Sequence, residues 1–410
     1  MKRITLILLI VAALVALVPA TAFAALHAPR ARVEDFFSAQ DIARSQHYRG
    51  LAYVFAFLSL GLNIVVLGVM GLGRGSRALA SWSARVSRGR RWLQTLVLAA
   101  VVSVLPALVI VPVAIAAWNH QRSFGLATNS LVSFLSDYAK ATGFSLLAAA
   151  IVALVYIGLA RKLPRAWPFA VAAAGCALTF LAIIILPVIY EPAFSTFRPV
   201  DPATRARVIA IAAREGVKVD KVLISLQSVR TTTENAYVSG FGATKRVVLY
   251  DTLLARLKPR EVDLVVAHEI GHVKHNDILK GALLGCAGVI AGVIVIWWLM
   301  RRRRLLDMIG ARDHADPAVI PFLALFIAVA TLVTLPLQNF VSRHIEASAD
   351  HTALVATNDT RGAVQLEVDL SRDNLSDLKP NGFIRWAFFT HPSTMERIQA
   401  ALDYEAAHKT

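Results

Sequence analysis

Residues 265–272 read Val-Val-Ala-His-Glu-Ile-Gly-His, an H-E-x-x-H inside an apolar, helix-forming run. On a helix, His268 and His272 stand one turn apart on the same face, so both imidazoles can converge on one cation. Glu269 lies beside the first of them, where it can take a proton from a water held by that cation. Zinc suits such a donor set, because it lowers the pKa of its water to about 7 and can polarise a carbonyl. A chance H-E-x-x-H arises in about one chain in a hundred of this composition, so the motif draws its weight from its surroundings.

A tetrahedral site needs a third protein ligand and one open position. His275 continues the face of His268, but about 10 Å of helix rise separates the two, too far for bonds near 2 Å to one ion. The stretch Ser342-Arg343-His344-Ile345-Glu346-Ala347-Ser348-Ala349-Asp350 is the better source. Glu346 and Asp350 share a helix face there, with Arg343 one turn before Glu346. Glu346 can supply the third ligand, and Asp350 can accept a proton from the free nitrogen of a ligating histidine. A charged helix with internal pairs competes with this reading, and the H-E-x-x-H beside it tips the balance toward ligation. Arg343 would hold Glu346 or Asp350, or reach a substrate carboxylate, and the structural role is preferred.

These residues must be positioned by an unusually apolar chain. Of its 410 residues 56% are hydrophobic and only 17% charged, and the mean hydropathy of +0.57 exceeds that of ordinary globular domains. Residues 4–25 form an apolar run behind Lys2 and Arg3. It is either a signal peptide ending at Ala22-Phe23-Ala24 or a first transmembrane helix, and its length favours retention. Six further candidates fall at about 51–72, 93–118, 143–160, 167–189, 281–300 and 318–337, each near the length a bilayer core requires.

The net charge of +16 comes mostly from arginines clustered between these spans. Anionic headgroups suit that distribution better than nucleic acid, which is not expected as a partner. Arg74 to Arg91, Arg161 to Arg165, and Arg301 to Arg304 all fall on one side if the spans alternate, and the positive-inside rule makes that side cytoplasmic. Residues 190–280 and the carboxyl tail then lie on the other side. Cys176 and Cys286 sit in separate apolar runs, so they read as small buried hydrophobes.

Within residues 190–280, Arg205 to Glu215 reads as an amphipathic helix and Lys221 to Ser225 as a strand. Asn235 to Phe241 and Lys245 to Tyr250 alternate like a hairpin about Gly242-Ala243-Thr244. Pro259 suits the first turn of the helix that carries the metal motif. That helix is expected to run on into the sixth span, and Met395 to Ala406 reads as a short closing helix.

The two metal-binding segments resemble the M48 family of zinc metallopeptidases, in particular its multi-spanning branch, the Ste24-type CAAX prenyl proteases. Phe36 through Tyr48, Arg122-Ser123-Phe124-Gly125-Leu126, Asp137-Tyr138-Ala139-Lys140, Leu186 to Phe194 and Asn235 to Phe241 resemble the same branch. The resemblance implies a mainly α, integral membrane fold: seven transmembrane helices with a small α+β zincin-like catalytic domain. Its parts would be residues 1–189 (membrane), 190–280 (catalytic, with hairpin and H-E-x-x-H helix), 281–337 (two spans) and 338–410 (third-ligand helix and closing part).

It also implies one zinc per chain, Glu269 as general base, substrate contacts at Asn235 and Ala236, and His391 near the reacting carbonyl. Taken alone, a histidine before a proline is an ordinary loop residue. The substrates implied are membrane-associated or prenylated, CAAX-like proteins, or membrane proteins under quality control. The eukaryotic relatives hold their catalytic domain in the cytosol, against the charge bias, and the charge bias is preferred because it is read from this chain. A transporter-like protein would carry charges inside its spans, and these have almost none. A site-2-type protease would need an L-D-G near a span, which is absent.

Overall fold

Six helices long and apolar enough to cross a membrane frame the molecule, in a computed structural model that describes residues 30–240 and 245–408. The run over 4–25, expected as a first span, and the turn at 241–244 lie outside the described residues. In lipid a helix satisfies its own backbone groups, and at most 28% of any apolar window is buried inside the protein, so most of each faces outward.

The second expected span, α1 (Ala39–Gly71), opens on Ser38, whose hydroxyl accepts from the Asp41 amide while Asp41 accepts from the Ser38 amide. The arginine-bearing stretch after it, expected as a loop, is largely an amphipathic helix, α2 (Gly73–Val86). Spans α3 (Arg91–Ser123), α4 (Leu131–Lys162) and α5 (Trp167–Ile185) follow, the last extended by a π-helical turn over Leu186–Tyr190. Two prolines, Pro106 and Pro112, lie inside α3.

The chain then builds a four-stranded sheet of β1 (Phe197–Pro199), β2 (Lys221–Ser225), β3 (Ala236–Ser239) and β4 (Arg246–Tyr250), in the order β1-β2-β4-β3. The expected hairpin is present: β3 and β4 pair antiparallel, Val238 opposite Val247 and Ala236 opposite Leu249. Helix α6 (Pro202–Arg214) and helix α7 (Pro259–Lys274), which carries the H-E-x-x-H, pack on this sheet. Val208, Ile211, Val247, Leu249, Val262, Val266 and Ile270 form a continuous core among them. Pro259 begins α7 as expected, and Glu261 accepts the Lys258 amide at 2.9 Å.

Helix α7 does not run on into the sixth span. Asn276 adopts a left-handed conformation, φ 56°, and a new helix, α8 (Asp277–Met300), starts beyond it. Asparagine tolerates that region better than most residues, and the break re-aims the chain into the membrane. The opposite holds further on. A single helix, α9 (Ile320–Thr357), unites the last span with the Glu346–Asp350 segment, so the boundary expected at 337/338 falls inside one continuous helix. Helices α10 (Thr360–Asp373), α11 (Gly382–Phe388) and α12 (Thr394–His408) complete the fold against α7, α9 and the start of α1.

Candidate metal centre and active site

Helix α7 meets α9 through a glycine. A Cβ at Gly271 would stand 3.2 Å from the Ala349 Cα and 3.2 Å from the Thr352 Cβ, so any larger residue would press the two helices apart by a few tenths of an ångström. Closeness here brings Glu346 onto the two histidines of α7. His268 Nε2 and His272 Nε2 are 3.1 Å apart, and Glu346 Oε2 lies 3.2 Å from the first and 3.6 Å from the second. Bonds of about 2.0–2.1 Å at tetrahedral angles put neighbouring donors about 3.3–3.4 Å apart. The three atoms therefore match the base of a zinc tetrahedron, and the residues fit the ion.

The polar inventory around them points the same way. His268 Nδ1 donates to Asp350 at 2.8 Å and His272 Nδ1 to Asp277 at 3.0 Å, which turns both Nε2 atoms toward each other and toward Glu346. Among the described residues Glu346 Oε2 is buried with no well-formed hydrogen bond, while the Nε2 atoms of His268, His272 and His391 stand 3.2, 3.6 and 3.2 Å from it. Such an arrangement calls for a positive charge in its midst. Burial alone would favour neutral His268, but the Asp350 and Glu346 carboxylates prevail and raise its pKa to about 10. His275, set aside from the ligands, hydrogen-bonds with Ser348 and Thr352 instead.

Glu269 faces the edge strand, where its Oε2 accepts the Val238 amide at 3.1 Å. Burial pushes its carboxyl above the ordinary range, against the pull of both histidines. Asn235 and Ala236 open that edge strand beside His268 and Glu269. Below them Tyr237 and Arg246 both donate to Glu191, at 2.8 and 2.7 Å, pinning the hairpin to the end of the fifth span. His391 stands with Nε2 3.2 Å from Glu346 Oε2, its side chain 56% exposed.

One expected role moves to another residue. Arg343 touches neither Glu346 nor Asp350; it is buried and donates to the carbonyls of Arg385, Trp386 and Phe389, with Asn339 adding a bond to Ala387. It thereby fixes the segment that delivers His391. The arginine that holds Asp350 is Arg397 of α12, bidentate at 2.8 and 2.5 Å, with its third nitrogen on Glu367 at 2.8 Å. Sequence spacing carries no sign of this long-range pair. Asp277 was also missed, though an acid five residues after His272, at a helix start, was a readable signal.

Comparisons with known proteins agree with this geometry. The sequence model described as Peptidase family M48 matches residues 202–405, and that described as CAAX prenyl protease N-terminal, five membrane helices, matches residues 21–196. The chain is 27% identical over 379 residues to the "Uncharacterized metalloprotease YhfN" of Bacillus subtilis, covering 91% of this chain and 88% of that one. To "CAAX prenyl protease 1" of Saccharomyces cerevisiae it is 25% identical over 307 residues, covering 70% and 67%. The crystal structure of S. mikatae Ste24p superposes with a TM-score of 0.81 over 92% of both chains at 20% identity, a likeness of fold.

Proposed function

The chain belongs to peptidase family M48 as a multi-spanning membrane metalloprotease, and from that premise we propose that it is a zinc endopeptidase acting on membrane-associated peptides or proteins, prenylated CAAX-like ones among them. The observation that carries the reading is the meeting of His268, His272 and Glu346 at tetrahedral spacing. A zinc ion bound there would supply a Lewis acid for the scissile carbonyl and a water acidic enough to attack near neutral pH.

The chain's own residues do the rest. An extended peptide adds to the free side of β3 as a further strand, guided past Asn235 and Ala236. Glu269 Oε2, poised by burial to hold a proton, takes one from the attacking water and delivers it to the leaving amine. His391 donates to the oxygen of the reacting carbonyl as charge builds there. Asp350 and Asp277 keep the Nε2 atoms of the two histidines turned inward. The lipid-facing frame suits substrates that arrive along the membrane, and the name CAAX prenyl protease 1 of the yeast relative motivates the prenylated class. The basic loops at the far end favour a cell-membrane protein with its active site on the extracytoplasmic side.

Purified protein should cleave a quenched fluorescent peptide, lose that activity on chelation and regain it with zinc. Glu269→Gln should keep its metal and fold while kcat falls by about 10²–10⁴. A variant that retains metal and still cleaves at the parent rate would remove Glu269 from the role of base.

A further inference from the structure

Strand β3 is an outer strand of the sheet, so a substrate can pair there with backbone groups that point away from β4. The Tyr250 amide donates to the Asn235 carbonyl at 3.0 Å. Groups alternate along an antiparallel strand, so Glu234, Ala236 and Val238 turn their N–H and C=O to the open side. The Val238 amide, which donates to Glu269 on that side, agrees.

Of these three residues, Glu234 is already paired. Its amide donates to Asn374 Oδ1 at 2.9 Å, and Asn374 Nδ2 donates to its carbonyl at 3.2 Å. One carboxamide thus satisfies both groups as a neighbouring strand would. The Glu234 side chain takes no part: it is wholly buried, 3.8 Å from Arg256 and beside Asp373, and burial and then Asp373 raise its pKa to about 8. Further back the segment is covered as well. The Thr232 amide donates to the Leu126 carbonyl at 3.0 Å, and Thr231 bridges Ala127 in the turn between α3 and α4. Ala236 differs: its amide donates to Asn235 Oδ1 at 2.9 Å, a local bond that an incoming carbonyl can replace.

Asn374 is held from the membrane part. It follows the last turn of α10, and Arg49 of α1 donates to the Leu375 carbonyl at 2.6 Å and to the Asn374 carbonyl at 3.3 Å. Leu375 adopts a left-handed backbone, φ 48°, with its side chain buried against Tyr48 and Leu126. That region is costly for leucine and persists where the surroundings impose it.

We infer that Asn374 is a stop on the substrate strand: it ends backbone pairing at Ala236 and so limits how much of a peptide's C-terminal side the edge holds. The inference rests on the proteolytic reading above. A peptide added antiparallel to β3 runs from Val238 toward Ala236. Two places after the residue paired with Ala236, the peptide meets the Asn374 carboxamide in place of the Glu234 backbone, and it must leave the sheet.

The test replaces the backbone N–H groups of a long fluorescent peptide by ester oxygens, one position at a time. Binding is measured by fluorescence anisotropy on full-length Glu269→Gln protein, and turnover on the parent. Two esters two residues apart, facing the Val238 and Ala236 carbonyls, should each weaken binding about three- to tenfold. The next alternate position toward the peptide's C-terminus should be indifferent. Adding Asn374→Gly bares the Glu234 groups while Arg49 keeps its bonds, which go to backbone oxygens, and should make that third position sensitive too. Asn374→Ser, the check should the glycine variant misfold, is too short to reach both groups and should do the same. A general loosening of the site would weaken every peptide alike and add no position. A third sensitive position without the substitution, an unchanged pattern in both variants, or no sensitive position at all overturns the stop. Zinc-dependent cleavage with a third position already sensitive sinks the stop and leaves the peptidase reading standing; the expected ester pattern without any cleavage does the reverse.

Discussion

His268 and His272 are oriented by different means. Asp350, which orients His268, is itself gripped by Arg397 from another helix, whereas Asp277, which orients His272, belongs to the helix that starts just after the break at Asn276. Both carboxylates fix a tautomer, so Asp350→Asn and Asp277→Asn should each weaken zinc binding about 10- to 100-fold, measured by competition with a chromogenic chelator. Arg343→Ala should leave zinc affinity near the parent value and lower kcat instead, since Arg343 positions the segment before His391. Equal loss of zinc in Arg343→Ala would contradict that division. Glu234 sets a pH dependence of stability. Its folded pKa of about 8 exceeds the ordinary 4.5, so the folded state holds the proton more tightly. Stability is therefore greatest below about pH 4.5 and falls as pH rises through about 8. The melting-temperature advantage of Glu234→Gln over the parent should grow from pH 5 to pH 9; a constant difference would mean that the carboxyl does not titrate there.

At the scale of elements, the site depends on how closely α7 and α9 approach. Neither helix alone carries all three candidate donors; the close approach at Gly271 lets the second reach the first. Gly271→Val would press a branched side chain into the α9 backbone, and the helices can relieve it only by separating. Zinc affinity should fall at least about tenfold with the fold retained, read by metal content after dialysis and by circular dichroism. Unchanged metal content would show that α9 can yield without losing Glu346. The edge strand is placed by contact with the membrane part, through Tyr237, Arg246 and Glu191, so the end of the fifth span and the surface meant for substrate move as one unit.

At the scale of the molecule, charge separates the two ends. The arginine-bearing turns pack together around Ile309, Trp167 and Met300, with Arg301 and Arg302 stacked on Trp297 and Trp298, as at a membrane interface. The metal donors sit at the other end, where Arg49 and Tyr53 of α1 bind the Asn374–Asp377 segment. The proposed orientation predicts that Lys218→Cys, in a Cys176→Ala, Cys286→Ala background, is labelled by an impermeant thiol reagent on intact cells. Arg165→Cys should be labelled only after permeabilisation. The opposite pattern would put the active site in the cytoplasm.

What could be read from residue order alone was whatever local periodicity encodes: the places of six spans, though α1 and α4 begin 12 residues before and α9 ends 20 residues beyond the apolar stretches expected, the β3–β4 hairpin, the helix begun by Pro259, and a metal motif whose two histidines are neighbours on one turn. Glu346 was reachable because its spacing to Asp350 is also local. Tertiary structure alone decided the partners that arise from packing of distant helices, since no short-range pattern records which side chain a helix 47 residues away will present. So Arg397 rather than Arg343 answers Asp350, Asn276 divides two helices expected as one, and α9 joins two segments expected apart.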